Sequence, residues 1–338
     1  GNGRQLAAVA GGPRRGTGLR GAPFFTRGGS PPRVALRETA SGTEDGRRTL
    51  RWEKERFAVI HRVRGTLRRW SMLQPGDRVA VEPSISCGVC DQCLTGRFHT
   101  CRKIKFLGHP GELDGCLAEY FVMPAGNLIK LPPSITLEEA MLAEPLSIAL
   151  HALNLAGLGP NDRVAVLGTG PIGLCLIMLL RHHGLSQIFA TDRSEARVRA
   201  ALQAGASWAA SVEQEDVVQE ILSRQPLGLE VVFEVSGDQE AIDQSVGLVR
   251  PGGRIIQVGI PVPERVSYQI ARLRRKEITV INSRRQNRCL EPALELIQDK
   301  KIEVSWLLTH RFRLEEAQQA FTTAADRLDG VLKAAFVL

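Results

Sequence analysis

One segment constrains the fold of this 338-residue chain more than any other. From Asp162 it reads Asp-Arg-Val-Ala-Val-Leu-Gly-Thr-Gly-Pro-Ile-Gly-Leu-Cys-Leu-Ile-Met-Leu-Leu-Arg, an apolar strand run, then Gly168, Gly170 and Gly173, then an apolar helix run. In this strand-to-helix context G-x-G-x-x-G is a dinucleotide fingerprint. The first glycine permits a tight turn, the second lets a pyrophosphate approach the backbone, and the third lets helix and strand pack closely. Pro171 and Ile172 sit at the helix start, whose free N–H groups face the phosphates. A second apolar run, 187–191, ends at Asp192, nineteen residues after Gly173. A carboxylate there accepts hydrogen bonds from the ribose 2′- and 3′-hydroxyls and repels a 2′-phosphate, which favours NAD over NADP. Arg193 weakens that preference; Arg193 and Arg197 are expected to flank the adenine face, with a solvated helix start as the alternative.

The pattern continues as strand and helix in alternation. Apolar runs at 229–234, 254–258 and 278–281 are separated by helical stretches near 217–223 and 241–249. With strands at Val164 and Ile188 and a short one near Trp208, six strands are expected in a doubly wound parallel sheet. Val249-Arg250-Pro251-Gly252-Gly253 reads as a turn into the fifth strand. That strand ends at Val258-Gly259-Ile260-Pro261, on the carboxyl edge where ligands bind in such sheets.

Upstream lies Cys87-Gly-Val-Cys90-Asp-Gln-Cys93, followed after seven residues by Cys101. Gaps of two residues bring thiolates onto one point, and four sulfurs close a tetrahedral zinc site with no open position, so such a site stabilises a lobe and does no chemistry. A disulfide framework or a redox C-x-x-C pair is the rival reading. The odd total of seven cysteines, the lack of a signal peptide ahead of them and the absence of thioredoxin-like surroundings speak against both. Cys175, Cys116 in an expected strand and Cys289 at an expected helix start read as small buried apolar residues. His99 is outvoted by the four cysteines, His151 reads as a core histidine rather than a proton relay, and His182 and His183 as solvent-facing.

A four-cysteine lobe ahead of a dinucleotide domain resembles the zinc-dependent medium-chain dehydrogenases, the alcohol and polyol dehydrogenase superfamily. Gln74-Pro75-Gly76-Asp77-Arg78-Val79, Asp114-Gly115-Cys116-Leu117-Ala118-Glu119-Tyr120 and Ala143-Glu144-Pro145-Leu146-Ser147 carry the likeness, with Ser283-Arg284-Arg285-Gln286-Asn287 and Gly330-Val331-Leu332-Lys333. Glu144 at its position looks like the sorbitol (L-iditol) dehydrogenase branch. The resemblance covers about residues 73–338. It implies an α/β fold, a Rossmann doubly wound sheet over 146–288 with a GroES-like β-rich catalytic domain over 73–145, rejoined by 289–338. It further implies oxidation of a secondary alcohol, a catalytic zinc lowering the hydroxyl pKa while hydride passes to NAD. Glu144 would ligate or neighbour that zinc, and Val258, Gly259, Ile260, Asn282, Ser283 and Arg284 would line the cofactor. Arg284 and Asn287 would hydrogen-bond a polyol or sugar acid. A homodimer or homotetramer is the implied assembly, with no nucleic acid and no membrane as partners.

The chain departs from the family in residues 1–72. The family draws a cysteine and a histidine for its catalytic zinc from this part, yet no cysteine precedes Cys87, and the one earlier histidine, His61, reads as an ordinary strand or loop residue. The stretch holds fifteen arginines, one lysine and five acids, leaving 28 basic and 31 acidic residues for the rest, so the overall +8 is an N-terminal property. A basic arm for an anionic partner, a targeting peptide, and a wrong reading frame or misassigned start compete. The last is the expectation, because arginine without lysine or aromatic interleaving is a weak nucleic-acid signature and family character resumes abruptly at Leu73. Apolar runs of eighteen residues free of charge are absent, which predicts no membrane span, and free thiols with zinc suit a reducing cytoplasm. Two functions follow: a zinc- and NAD-dependent polyol dehydrogenase, or a non-catalytic NAD-binding protein with one structural zinc. A zinc-free quinone reductase is the weaker third.

Overall fold

The computed structural model describes residues 73–118 and 120–337 in full, with the backbone of strands Arg33–Arg37, Thr43–Glu44, Arg47–Arg48 and Val59–Arg64. The remainder of 1–72, with the expectations placed on it, lies outside the described residues. Contacts divide the chain into two compact units that part between Pro133 and Ser134.

The first unit is built from antiparallel pairs. Arg33–Arg37 lies between Val59–Arg64 and Tyr120–Pro124, Val79–Val81 pairs with Leu128–Lys130, and Ser84–Ile85 pairs with Lys105–Phe106. A small core of Leu73, Val79, Met123, Ala125 and Leu128 holds it. The chain enters through a turn that Gln74-Pro75-Gly76-Asp77 dictates: proline presets the second position, Gly76 takes φ +94°, and the Asp77 N–H donates to the Gln74 carbonyl at 3.1 Å. Cys116 departs from its expected place. It is exposed and lies ahead of the strand, which begins at Tyr120, so it packs in no core.

The second unit opens with α1 (Leu137–Ala156). Thr136 Oγ1 accepts from the Glu139 N–H at 3.1 Å while Glu139 accepts from the Thr136 N–H at 2.8 Å, a reciprocal cap, and left-handed Gly157 ends the helix. The fingerprint follows as β1 (Val164–Leu167) and α2 (Pro171–His182), then β2 (Ile188–Asp192), α3 (Glu195–Ala204), β3 (Trp208–Ser211), α4 (Val217–Arg224), β4 (Leu229–Glu234), α5 (Gln239–Leu248), β5 (Val249–Gln257), α6 (Ile270–Lys276) and β6 (Thr279–Asn282). All six strands are parallel, in the order β3-β2-β1-β4-β5-β6, so the order in which strands are added reverses between β1 and β4. The crevice above that reversal is where a doubly wound sheet takes a ligand. Every residue of β1, β2 and β4 is buried, which is why these strands read as unbroken apolar runs.

One boundary differs from expectation. The segment 249–253 is part of β5: Val249 pairs with Leu229, and after a bulge pairing resumes at Arg254 with Val231. The fully buried Val249 side chain draws the chain onto the sheet early, and Gly252 at φ +72° absorbs the extra residues. After β6 come α7 (Leu290–Gln298) and a parallel pair, Leu308–Phe312 with Lys333–Phe336. No helix among the described residues is long and apolar enough to cross a membrane.

At the foot of the sheet Arg163 and Glu230 tie β1 to β4. The Glu230 carboxylate accepts the Arg163 backbone N–H at 2.8 Å, Nε at 3.0 Å and Nη2 at 2.7 Å. Burial works to raise its pKa, but the Arg163 hydrogen bonds prevail and hold it at about 2. A depressed carboxyl pKa contributes stability that is present above the unfolded value near 4.5 and is lost as pH falls toward 2. Glu230→Gln is therefore expected to cost about 3 kcal/mol near neutral pH, since it strips a partly buried arginine of its partner, and to flatten the fall in melting temperature over that acid window. Thermal melts of both proteins from neutral pH to pH 2 check this; parallel profiles would contradict it.

Candidate functional site

Two constellations stand out, one in each unit. In the first, Cys90 starts the short helix Asp91–Leu94, which turns Cys93 inward, and Cys101 follows a 3-10 turn at Phe98–Thr100. The four sulfurs of Cys87, Cys90, Cys93 and Cys101 lie within 4.8 Å of one another. The Cys87–Cys93, Cys90–Cys93 and Cys90–Cys101 separations are 4.0, 3.6 and 3.9 Å. Zinc–sulfur bonds of about 2.3 Å in a tetrahedron put sulfurs about 3.8 Å apart, so the set fits one zinc closed on all sides. Backbone N–H groups of Arg102 and Cys93 lower the Cys90 thiol to about 6, whereas burial pushes Cys93 up to about 11. Four thiolates in one place need a dication to hold them. Arg102, just past Cys101, is tied back to the short helix, its Nη2 donating to Asp91 at 2.9 Å. His99 is buried beside the cluster without belonging to it.

In the second unit a cavity of about 250 Å³ opens at the carboxyl ends of β1, β2 and β4. Gly168, Gly170, Asp192, Arg193 and Arg197, all named from the sequence, line it. Gly168 adopts φ +99°, and a Cβ there would meet the Ser236 nitrogen at 2.8 Å; a Cβ on Gly173 would come within 2.1 Å of the Gly168 carbonyl oxygen. Side chains are thus barred where a pyrophosphate has to approach the α2 N-terminus, opened by Pro171 and Ile172. Asp192 is held in place: one oxygen accepts the Thr169 N–H at 2.8 Å and Oγ1 at 3.3 Å, the other accepts the Ser194 N–H at 3.0 Å. Arg197 Nη1 stands 4.0 Å from it, and burial lowers the Arg197 pKa. The cleft fits the adenosine half of a dinucleotide.

Beyond it, along the same edge, Glu234 organises the next turn. Its buried carboxylate accepts the Ser236 N–H at 2.8 Å, Ser236 Oγ at 2.6 Å and the Gly237 N–H at 2.7 Å, and takes a short hydrogen bond from Gln257 Nε2. Its backbone carbonyl accepts the Val258 and Gly259 N–H groups at 2.8 and 3.0 Å. A Cβ on Gly259 would meet the Gly237 nitrogen at 2.2 Å. Asn282 ends β6, and the Ser283 N–H donates to the Gln257 carbonyl at 2.8 Å. Ser283 Oγ is buried without a hydrogen-bond partner, an orphan that a polar ligand group at this edge would satisfy. Ile260 and Arg284 are exposed. Ser236, Asp238, Glu240 and Arg327 also line the cavity and carry no local motif; Arg327 reaches the cleft from a left-handed turn at φ 56° far along the chain.

Glu144 lies in the middle of α1, and Arg285 Nη2 approaches its Oε1 at 3.4 Å. Among the described residues the four cysteines are the only gathering of three or more metal-ligating side chains, and Glu144 is not in it. Ahead of Cys87 the sequence supplies no cysteine and the single His61. Among the described residues no donor set gathers at Glu144 to fit a second, catalytic metal.

The zinc-binding dehydrogenase family model matches residues 171–299, and the model of the alcohol dehydrogenase GroES-like domain matches 54–133, beginning upstream of Leu73. Sorbitol dehydrogenase of Gallus gallus is 34% identical over 277 residues, 80% of this chain and 78% of that protein. L-idonate 5-dehydrogenase of Vitis vinifera is 33% identical over 260 residues, 75% and 70% of the two. Among solved structures, a short chain alcohol dehydrogenase of E. coli CFT073 complexed with NADH superposes with a TM-score of 0.77 at 26% identity, covering 83% of this chain and 82% of that one. The α/β architecture, the Rossmann sheet and the GroES-like domain thereby have counterparts, and so do zinc and NAD as the cofactors. This chain belongs to the zinc-dependent medium-chain alcohol dehydrogenases, in their sorbitol-dehydrogenase-like branch, and is a polyol-type oxidoreductase.

Proposed function

We propose that the chain oxidises a secondary alcohol of a polyol or sugar-type substrate to a ketone, with the hydride passing to NAD. The observation that carries this reading is the cleft over β1, β2 and β4, where side chains are barred at Gly168 and Gly173 and Asp192 is fixed to accept the ribose hydroxyls. NAD, when bound, supplies the hydride acceptor. In this reading Gly168, Gly170, Pro171, Ile172 and Gly173 bind the pyrophosphate, Asp192, Arg193 and Arg197 the adenosine, and Val258, Gly259, Ile260, Asn282, Ser283 and Arg284 the nicotinamide half. Glu144, oriented by Arg285, accepts the proton of the substrate hydroxyl as the carbinol hydride leaves for NAD, and zinc is held by Cys87, Cys90, Cys93 and Cys101. Residues 73–145 and 289–338 form the catalytic domain, with an NAD-binding domain inserted in sequence at 146–288. Seven cysteines, none in a disulfide, suit a cytoplasmic setting. The open edge of β6, with Ile260 and Ile270 exposed nearby, suits a homodimer or homotetramer.

The relatives compared are named as dehydrogenases, which gives no support to a non-catalytic NAD-binding role. The test is incubation of the zinc-loaded full chain with NAD and a panel of pentitols, hexitols and sugar acids. NADH formation with at least one is expected. Glu144→Gln is expected to lower kcat about a hundredfold or more without loosening NAD. Tight NAD binding with no NADH from any substrate would overturn the proposal.

A further inference from the structure

The adenosine cleft carries more charge than an uncharged ribose needs. Asp192, Asp238 and Glu240 face Arg193, Arg197 and Arg327 across it. Two of these six are fixed. Asp192 is pinned through both oxygens by Thr169 and Ser194, so it cannot swing aside. Arg197 is largely buried, 4.0 Å from Asp192. Arg193, next in sequence to Asp192, has its carbonyl held by Ser211 Oγ at 3.3 Å, so its backbone is tethered while its side chain is half-exposed. That side chain points to the start of α5, where Nη2 lies 3.6 Å from Asp238 and 3.7 Å from Glu240.

A 2′-phosphate bound here would bring nearly two negative charges against the fixed Asp192 carboxylate, and would need a cation beside it. Arg193 is the side chain attached at that point whose guanidinium has freedom to supply one. We propose that Asp238 and Glu240 set the cofactor choice: by drawing Arg193 to the first turn of α5 they withhold it from the 2′ position, and the cleft takes NAD in preference to NADP. The inference rests on the cofactor reading above and deepens it. Asp238 and Glu240 act through Arg193 and so are positioning residues. Ion pairs of this length between half-exposed groups are weak, so they bias the guanidinium and do not lock it. Neutral side chains at 238 and 240 release it.

The competing explanation is purely structural, since acids at a helix start complement the helix dipole whatever Arg193 does. A ratio of two affinities separates the explanations, because a structural defect weakens both ligands alike. The experiment is calorimetric titration of the zinc-loaded full chain with 5′-AMP and with 2′,5′-ADP, at low and at high salt. In the wild-type protein 5′-AMP is expected to bind the tighter. In Asp238→Asn/Glu240→Gln the affinity for 2′,5′-ADP relative to 5′-AMP is expected to rise about tenfold, a gain that shrinks at high salt and disappears on adding Arg193→Met. Glu240→Gln alone, at an exposed position, is expected to show part of the gain and serves if the double variant does not fold. An unchanged ratio in a folded variant overturns the proposal, and so does a gain that survives Arg193→Met. Failure of the wild-type protein to bind either 5′-AMP or NAD would instead sink the cofactor reading and this inference with it.

Discussion

Stripping the zinc with a chelator, or substituting Cys93→Ser, is expected to unfold the loop from Cys87 to Cys101 while the unit Ser134–Val337 keeps its own cooperative transition. The loop has little else to hold it. Its regular structure is the four-residue helix Asp91–Leu94 and the three-residue turn Phe98–Thr100. Two of its apolar side chains, Val89 and Leu94, point outward, each being 75% exposed. Segments of this size bury too little surface to offset the entropy of ordering them, whereas structural zinc in small sites is worth about 10–16 kcal/mol. Cys93 is among the two most buried of the four ligands, so a serine there removes one thiolate and leaves a hydroxyl facing three sulfurs. Elemental analysis is expected to give one zinc per chain, and limited proteolysis after chelation is expected to cut within 87–101 first. Two zincs per chain would mean that residues ahead of Leu73 contribute ligands that their sequence does not advertise. Protease resistance unchanged by chelation would mean that the metal does not organise the loop.

The parts of the molecule legible in the sequence are those in which one local constraint sets one local outcome. The G-x-G-x-x-G turn, the cysteine spacing and the fully buried strands β1, β2 and β4 leave periodicities that tertiary context does not overrule. The six strands fall near their expected places for that reason. The start of β5 was not legible, because Pro-Gly-Gly carries a turn signature while the pull of Val249 into the core shows only once Leu229 is beside it. Cys116 misled in the opposite sense: an expected strand suggested burial, but pairing begins only at Tyr120. Among the residues that line the cleft, Asp192 stands at a spacing from the glycines that the sequence displays. Arg327, Asp238 and Glu240 were not, since they come from other turns and meet the cleft only through the sheet order. The same holds for the Glu144–Arg285 contact, whose partners are 141 residues apart.

Gly173→Ala is expected to weaken NAD binding a hundredfold or more and to destabilise the second unit by about 2–3 kcal/mol, the cost of overpacking a dense interior. The added methyl would sit 2.1 Å from the Gly168 carbonyl oxygen and 3.1 Å from its carbon. Neither atom can give way, because β1 is hydrogen-bonded on both sides, to β2 and to β4, and the Gly168 N–H itself donates to the Thr191 carbonyl at 2.8 Å. The strain therefore falls on α2, which must shift outward by about 1 Å to restore ordinary contact distances. That movement carries away the helix N-terminus and the N–H groups that would face the pyrophosphate, so the loss of affinity follows from the same displacement as the loss of stability. Gly247→Ala is the matched control. It lies within α5, its methyl would find Val218 at 3.4 Å, and an alanine there removes chain entropy from the unfolded state. That variant is expected to melt within about 1 kcal/mol of the parent and to bind NAD as the parent does. Calorimetric NAD titration and thermal denaturation of the two variants side by side decide the matter. If Gly173→Ala binds and melts like Gly247→Ala, the close approach of α2 to β1 is not what builds the phosphate site.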